Sequence, residues 1–113
     1  MPDNKLLSRQ IYQIIVKTNQ QLAEISCPEA RKNLVSKTIN QIKKILENAP
    51  VKDLPFILWN LSNMLSNDFS SLLSLIADEL KNLVPENQLN RNKNTQIIQT
   101  LLALTEKEKK KLN

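Results

Sequence analysis

Apolar side chains recur along most of the chain at intervals of three and four residues, which is the period of a helix with one buried side. This pattern predicts five helices: about 4–25, about 28–48, a third that begins at the sequence DLPF, a fourth that begins at Asp68, and a last one over about 95–106. We therefore predict an all-α fold, an antiparallel four-helix bundle with an additional C-terminal helix, in a single helical domain over 1–113. The third and fourth helices could form one kinked helix, because only the sequence SND around Asn67 separates them.

Each predicted helix contributes an apolar stripe to a common core. Pro28 and Pro55 suit the first turn of a helix, where a missing N–H costs little. The candidate N-caps are Asp3, Ser26 or Cys27, Asp53, Asp68, and Asn94 or Thr95. The predicted stripes comprise Leu7, Ile11, Ile14, Ile15, Thr18, Leu22 and Ile25; Leu34, Val35, Ile39, Ile42, Ile45, Leu46 and Ala49; Leu54, Ile57, Leu58, Leu61, Met64 and Leu65; Phe69, Leu72, Leu73, Ile76, Leu80, Leu83 and Val84; and Ile97, Ile98, Leu101, Leu102 and Leu104.

The stretch LPFILWNLSNML, residues 54–65, differs from the other helices because apolar residues also occupy its back, where Phe56 and Trp59 project. A helix that is apolar on two sides is usually central, so the pattern favours burial of both rings in the core. The alternative is an exposed anchor patch, since Trp is enriched among the residues that dominate interface energy. Tyr12 and Val16, on the back of the first helix, could extend such a patch or could close over Trp59.

The composition excludes several classes of catalytic and ligand site. The chain has no glycine, no histidine and a single cysteine, Cys27. Glycine-rich phosphate loops, histidine-based triads, Cys/His zinc sites and an intramolecular disulfide therefore cannot form. A cysteine beside a proline at a helix start could have a lowered pKa, but no histidine is present to activate it, and we expect Cys27 to be structural. We predict a protein that is not an enzyme and binds no cofactor or metal.

No apolar run approaches the length of about 18 residues that a membrane span needs, and the N-terminus has no apolar signal core. We therefore expect a cytoplasmic protein without a transmembrane segment. The formal net charge is +5, and the basic residues cluster on the second helix and near the C-terminus. Lys32 and Lys43 flank one edge of the polar side of the second helix, and Lys37 and Lys44 flank the other.

These lysines leave open a small basic subunit that binds the backbone of RNA or DNA. The lysine-rich sequence KEKKK belongs to the segment 107–113, which we expect to fray. Aromatic platforms for single strands are missing nearby, because Tyr12, Phe56, Trp59 and Phe69 lie in other segments. An ordinary solvated basic face, or proximity to an anionic membrane, is the simpler interpretation.

The sequence EARKNLVSKTINQIKKILENAPVKDLPFILWNLSNMLS, within residues 29–83, resembles the central part of the small immunity proteins that protect lactic-acid bacteria against their own class II bacteriocins. Leu54, Pro55, Leu58 and Leu61 match a Leu-Pro-x-x-Leu-x-x-Leu pattern at the start of the third helix of that family. The chain departs from the family in the short connection between its third and fourth helices and in its lysine-rich C-terminal helix.

The resemblance implies a non-enzymatic, cytosolic, antiparallel four-helix bundle that acts by binding. Members of the family engage a sugar-transport permease from its cytosolic side once the bacteriocin has bound it, and they block the pore. The C-terminal half would then select the partner, through Leu89, Arg91, Lys93, Lys107, Lys109, Lys110 and Lys111. Beside immunity and nucleic-acid binding, a protein–protein adaptor of another class remains open, and an exposed Phe56–Trp59 surface would favour a homodimer.

Overall fold

The computed structural model describes residues 4–83 and 93–111. Five α-helices account for most of these residues: α1 (Asn4–Glu24), α2 (Pro28–Glu47), α3 (Leu54–Met64), α4 (Ser70–Leu83) and α5 (Lys93–Lys111). Short 3₁₀ turns, Val51–Asp53 and Asn67–Phe69, precede α3 and α4. The described part of the chain contains no strand, and the predicted all-α fold, a bundle with an additional C-terminal helix, is confirmed.

The order of the helices in space follows from a few polar contacts between them. α1 and α2 form an antiparallel hairpin, in which the hydroxyls of Thr18 and Thr38 are buried and 2.9 Å apart. α3 runs alongside α1 in the same direction. Two hydrogen bonds show this: Ser8 near the start of α1 donates to the carbonyl of Ile57 in α3, and Asn19 near its end donates to that of Asp68 in the 3₁₀ turn after α3. α4 packs on α2, and α5 packs against α2, α3 and α4.

All five helices share one core, and its members are nearly those that the apolar period predicts. The buried apolar side chains are Leu7, Ile11, Ile15, Leu22, Val35, Ile39, Ile42, Leu46, Ala49, Leu54, Ile57, Leu61, Leu65, Phe69, Leu72, Leu73, Ile76, Leu80, Ile97, Ile98, Leu101 and Leu104. Leu83 is an exception because it is 42% exposed at the last residue of α4, and Val84 lies outside the described residues. Thr18, the polar member of the predicted α1 stripe, is also buried. The other predicted members, such as Ile14 and Leu58, are half-buried at the margin.

α2 and α3 begin where the sequence predicts, but the predicted N-cap side chains do not form capping hydrogen bonds. Pro28 opens α2 directly after Cys27, which has extended backbone but forms no side-chain cap hydrogen bond. Asp53 precedes α3, yet its side chain caps nothing, because its backbone is already helical in the 3₁₀ turn and its N–H donates to the Pro50 carbonyl. Asp68 lies within the second 3₁₀ turn, and α4 starts only at Ser70.

At the two ends of the chain the remaining cap predictions fail or fall outside the structure. Asn94 and Thr95 cannot cap α5, because the helix already begins at Lys93. Asp3 lies outside the described residues.

Two further points concern helix ends. α3 and α4 are separate helices, because Leu65 takes up extended backbone, with φ −81° and ψ 147°, and its buried side chain anchors the break. The backbone of 107–111 continues α5 to Lys111, and fraying of the segment 107–113 stays a prediction. Glu and Lys are both good helix formers, which explains this continuation. Residues 112 and 113 lie outside the described residues.

Candidate functional site

The most exposed large apolar side chains of the described chain lie together on α3. Phe56 is 61% exposed and Trp59 is 59% exposed, while Ile57 between them is 1% exposed. The interpretation that both rings belong to the core is therefore wrong. α3 packs against α1 on one flank and α5 on the other, so the bundle covers only the side that carries Ile57 and Leu61. Around the helix, Phe56 lies about 120° and Trp59 about 180° from the midpoint between Ile57 and Leu61. We call Phe56 and Trp59 the aromatic surface.

Tyr12 does not close over this surface. Its ring meets the ring of Phe69 edge-on, with centroids 5.9 Å apart and planes at 72°. This T-shaped arrangement is the preferred one for aromatic pairs. Tyr12 and Val16 are half-buried and pack against the core. The Tyr12–Phe69 contact joins α1 to the 3₁₀ turn before α4. Tyr12 therefore lies at the margin of the core, and its part in partner binding stays a prediction.

A shallow groove between α3 and α5 lies next to the aromatic surface. Pro55 and Leu58 form one wall, next to Trp59 around the helix, and the walls together enclose about 370 Å³. No charged side chain lines this groove; its lining residues are Val51, Leu54, Pro55, Leu58, Gln96, Gln99, Thr100 and Ala103. The groove thus extends the apolar area beside Trp59.

A second groove, of about 450 Å³, lies between α1 and α2 and has the opposite character. Lys17, Lys37 and Lys44 line it, and no acidic residue does. The sequence correctly places Lys37 and Lys44 on one edge of α2, whereas Lys32 lines a different groove beside α4. Sequence reasoning missed Lys17. The available signal was its position three residues after Ile14, at the edge of the α1 stripe that adjoins α2.

The remaining candidate partner residues are not brought together among the described residues. The Lys93 ammonium donates to the carbonyl of Glu47 and so helps to fix the start of α5 at the end of α2. Leu89 and Arg91 lie outside the described residues. Four more lie on the last part of α5, where side chains are outside the described set: Lys107, Lys109, Lys110 and Lys111.

Cys27 is exposed at the start of α2. The backbone N–H groups of Ala30 and Glu29 lower the pKa of its thiol, although the sulfur forms no capping hydrogen bond of normal geometry. Within residues 4–83 and 93–111, no three Asp, Glu, Cys or His side chains are grouped so that they could hold a metal ion. No described helix combines the length and the apolar character that crossing a membrane requires.

Comparison with known proteins assigns no family and no function to the chain. The chain matches no protein-family model, and neither a curated protein nor a solved structure is significantly similar to it.

Proposed function

We propose that this chain is a non-catalytic binding protein and that the aromatic surface is the centre of its contact with a protein partner. The observation that carries the proposal is the exposure of Phe56 and Trp59, three residues apart on a helix whose other side is fully packed. Large exposed apolar side chains that adjoin one another mark interaction sites more often than singly scattered ones do. Trp is also among the residues that contribute most to interface energy.

The two exposed rings offer a substantial apolar area to a partner. If a Trp side chain offers about 250 Å² and a Phe side chain about 200 Å², the exposed fractions leave roughly 270 Å² for a partner to cover. At about 25 cal/mol per Å², complete burial contributes roughly 6–7 kcal/mol before the cost of association is subtracted. The neutral groove between α3 and α5 provides further apolar contact beside Trp59.

The shape and polarity of this area favour the apolar side of an amphipathic helix as the partner's contact. Such helices bind in grooves through apolar residues spaced by three or four, with polar residues at the rim. Gln96, Gln99 and Thr100 of α5 offer uncharged hydrogen-bonding groups along the far wall of the groove. A second copy of α3 also presents such a side, so a homodimer is one form of this proposal.

The chemistry of the side chains supports contact rather than catalysis. The sequence contains no histidine, and Cys27 is its only thiol. In residues 4–83 and 93–111, acidic and thiol side chains form no group of three. A thiol without a histidine base lacks the arrangement on which hydrolysis and group transfer by cysteine often depend.

Immunity against a class II bacteriocin is the specific form of this function that we propose. The support is the resemblance of residues 29–83 to that family and the position of Leu54, Pro55, Leu58 and Leu61, which open α3 as the family pattern implies. The partner would be a membrane permease that carries bound bacteriocin, met from its cytosolic side. Survival of a bacteriocin-sensitive strain that expresses this chain is the expected result, and unchanged sensitivity to a panel of class II bacteriocins would exclude this form.

Site-specific photocrosslinking tests the general proposal independently of the partner's identity. A benzoylphenylalanine at position 59 should capture one partner in the native host, and the same group at the exposed position Ser74 on α4 should not. Position 57 is unsuitable for the crosslinker because Ile57 is buried. A Phe56→Ala substitution should reduce capture from position 59. A crosslink between two copies of the chain would identify a homodimer, and equal crosslinking from positions 59 and 74 would contradict the proposal.

A further inference from the structure

We propose that the groove between α1 and α2, which we call the basic groove, is a docking site for an acidic amphipathic helix of a partner protein. This inference concerns a second surface and does not depend on the aromatic surface, with which the basic groove shares no residue. It is carried by three features of the groove: the sign of its charge, its apolar floor and its length.

The charge of the basic groove is of one sign. Lys17, Lys37 and Lys44 are exposed along it, and none of them forms an ion pair with another described residue. The other polar lining groups are neutral glutamine amides and threonine hydroxyls. A concave site that is lined by cations alone attracts anions and repels cationic ligands. The partner's contact therefore carries carboxylates.

The floor of the groove is apolar, so a partner must also bring apolar side chains. Ile14, Leu34 and Ile45 are half-buried there and remain accessible to a ligand. Beneath them the Thr18 and Thr38 hydroxyls bond to each other, which closes the groove toward the core. A free phosphate or a single carboxylate would leave this floor uncovered, whereas an amphipathic ligand covers the floor and meets the lysines at once.

The dimensions match a helix. The floor runs from Leu34 to Ile45, which at 1.5 Å per residue corresponds to about 16 Å, or three turns. Lys37 and Lys44 are seven residues apart and therefore about 10 Å apart on the same side of α2. Acidic residues seven positions apart on a partner helix that lies along the groove have the same separation.

Other anionic partners fit this geometry less well. A bilayer surface is flat and cannot reach a floor that is recessed between two helices. Single-stranded nucleic acid is gripped by aromatic side chains on which the bases stack. The described aromatic rings lie elsewhere, since Tyr12 packs on Phe69 and the aromatic surface is on α3. An acidic helix is thus the occupant that the groove favours.

Fluorescence anisotropy with a designed probe tests the proposal on the full chain. The probe is a labelled helical peptide of about 14 residues with a leucine stripe and glutamates seven positions apart, and its control has lysines at those positions. We expect saturable binding of the glutamate peptide that weakens as salt rises. The lysine peptide should bind at least about tenfold more weakly, and the contact of its leucine stripe with the aromatic surface should not depend on salt. The double variant Lys37→Glu/Lys44→Glu should bind the glutamate peptide at least about tenfold more weakly.

A charge-matched variant and two further probes make the outcomes decisive. Lys52→Glu/Lys81→Glu changes the net charge equally at exposed positions outside the groove and should bind like the unmodified chain. Phe56→Ala/Trp59→Ala should also retain binding, which separates this test from that of the proposed function. Absence of saturable binding, equal weakening in both lysine variants, or binding of anionic vesicles or a single-stranded oligonucleotide without binding of the glutamate peptide overturns the proposal.

Discussion

Replacement of Trp59 by alanine measures directly whether this ring belongs to the surface or to the core. Because 59% of the residue is exposed, a side chain of about 250 Å² keeps only about 100 Å² in contact with the protein. At about 25 cal/mol per Å², this area corresponds to at most about 2.5 kcal/mol of stability. Alanine retains part of the contact and is the better helix former by about 0.5 kcal/mol. We therefore expect Trp59→Ala to lower the free energy of unfolding by about 1–1.5 kcal/mol.

Ile57 provides the matched comparison on the same helix. It is 1% exposed and faces the core, so Ile57→Ala removes transfer energy and leaves a cavity. Substitutions of this kind cost about 2–5 kcal/mol, although fewer atoms are removed than at Trp59. The smaller truncation should thus be the more damaging one, which is a result that burial explains and side-chain size does not.

Urea unfolding followed by circular dichroism at 222 nm is the suitable assay, because Trp59 is the only tryptophan and its fluorescence is lost in the variant. In the unmodified protein, native Trp59 emission should already be red-shifted and readily quenched by acrylamide. A loss of about 3–5 kcal/mol in Trp59→Ala, the range for a buried Trp, would refute the exposed placement and with it the aromatic surface.

Three further predictions concern polar contacts of α1 and α2. Thr38 donates to the Leu34 carbonyl, so Thr18 must donate to Thr38. Thr38→Val should then lower the free energy of urea unfolding by about 1 kcal/mol more than Thr18→Val, because it leaves the buried Thr18 hydroxyl without an acceptor. The double variant should lose less stability than the sum of the two single variants. Arg31→Ala removes two hydrogen bonds from the guanidinium to carbonyls at the end of α1 and should cost about 1–2 kcal/mol by the same measurement. The lowered pKa of the Cys27 thiol should shift the pH profile of its alkylation by iodoacetamide below that of the urea-unfolded chain. Because the folded state favours the thiolate, this group adds stability as pH rises past its folded pKa and loses it as pH falls. The first argument is contradicted if the two Thr→Val changes lower stability equally, and the second if Arg31→Ala leaves the free energy of unfolding unchanged. The third is contradicted if the alkylation profiles of the folded and unfolded chains coincide.

The helices and most of the core follow from the sequence because the apolar period is local information. Residues at spacings of three and four on α1, α2 and α4 have one apolar side each, and any bundle must bury that side. The break after α3 does not follow from the apolar period, since the sequence SND also allows a kinked helix. It depends on the extended backbone of Leu65, which the burial of that side chain fixes.

The placement of Phe56 and Trp59 could not be predicted in the same way. α3 carries apolar residues on two sides, and which side is covered depends on how many helices pack around it. Helical period assigns the two rings to one side of α3 but says nothing about its neighbours. The basic groove, too, could be predicted only in part. The sequence places Lys37 and Lys44 on one edge of α2, but Lys17 joins them only because α1 packs against α2.

The two proposed surfaces differ in the force that would drive binding, and this difference constrains how partners can be arranged. Contact at the aromatic surface rests on apolar area beside an uncharged groove, so its affinity should change little with salt. Contact at the basic groove rests on exposed lysines and should weaken as the Debye length shortens. The surfaces involve different helix pairs and share no residue, so a single short helix cannot occupy both. They therefore accept either two partners or two segments of one partner, and in the second case the linker between the segments sets the effective concentration and hence the gain in affinity.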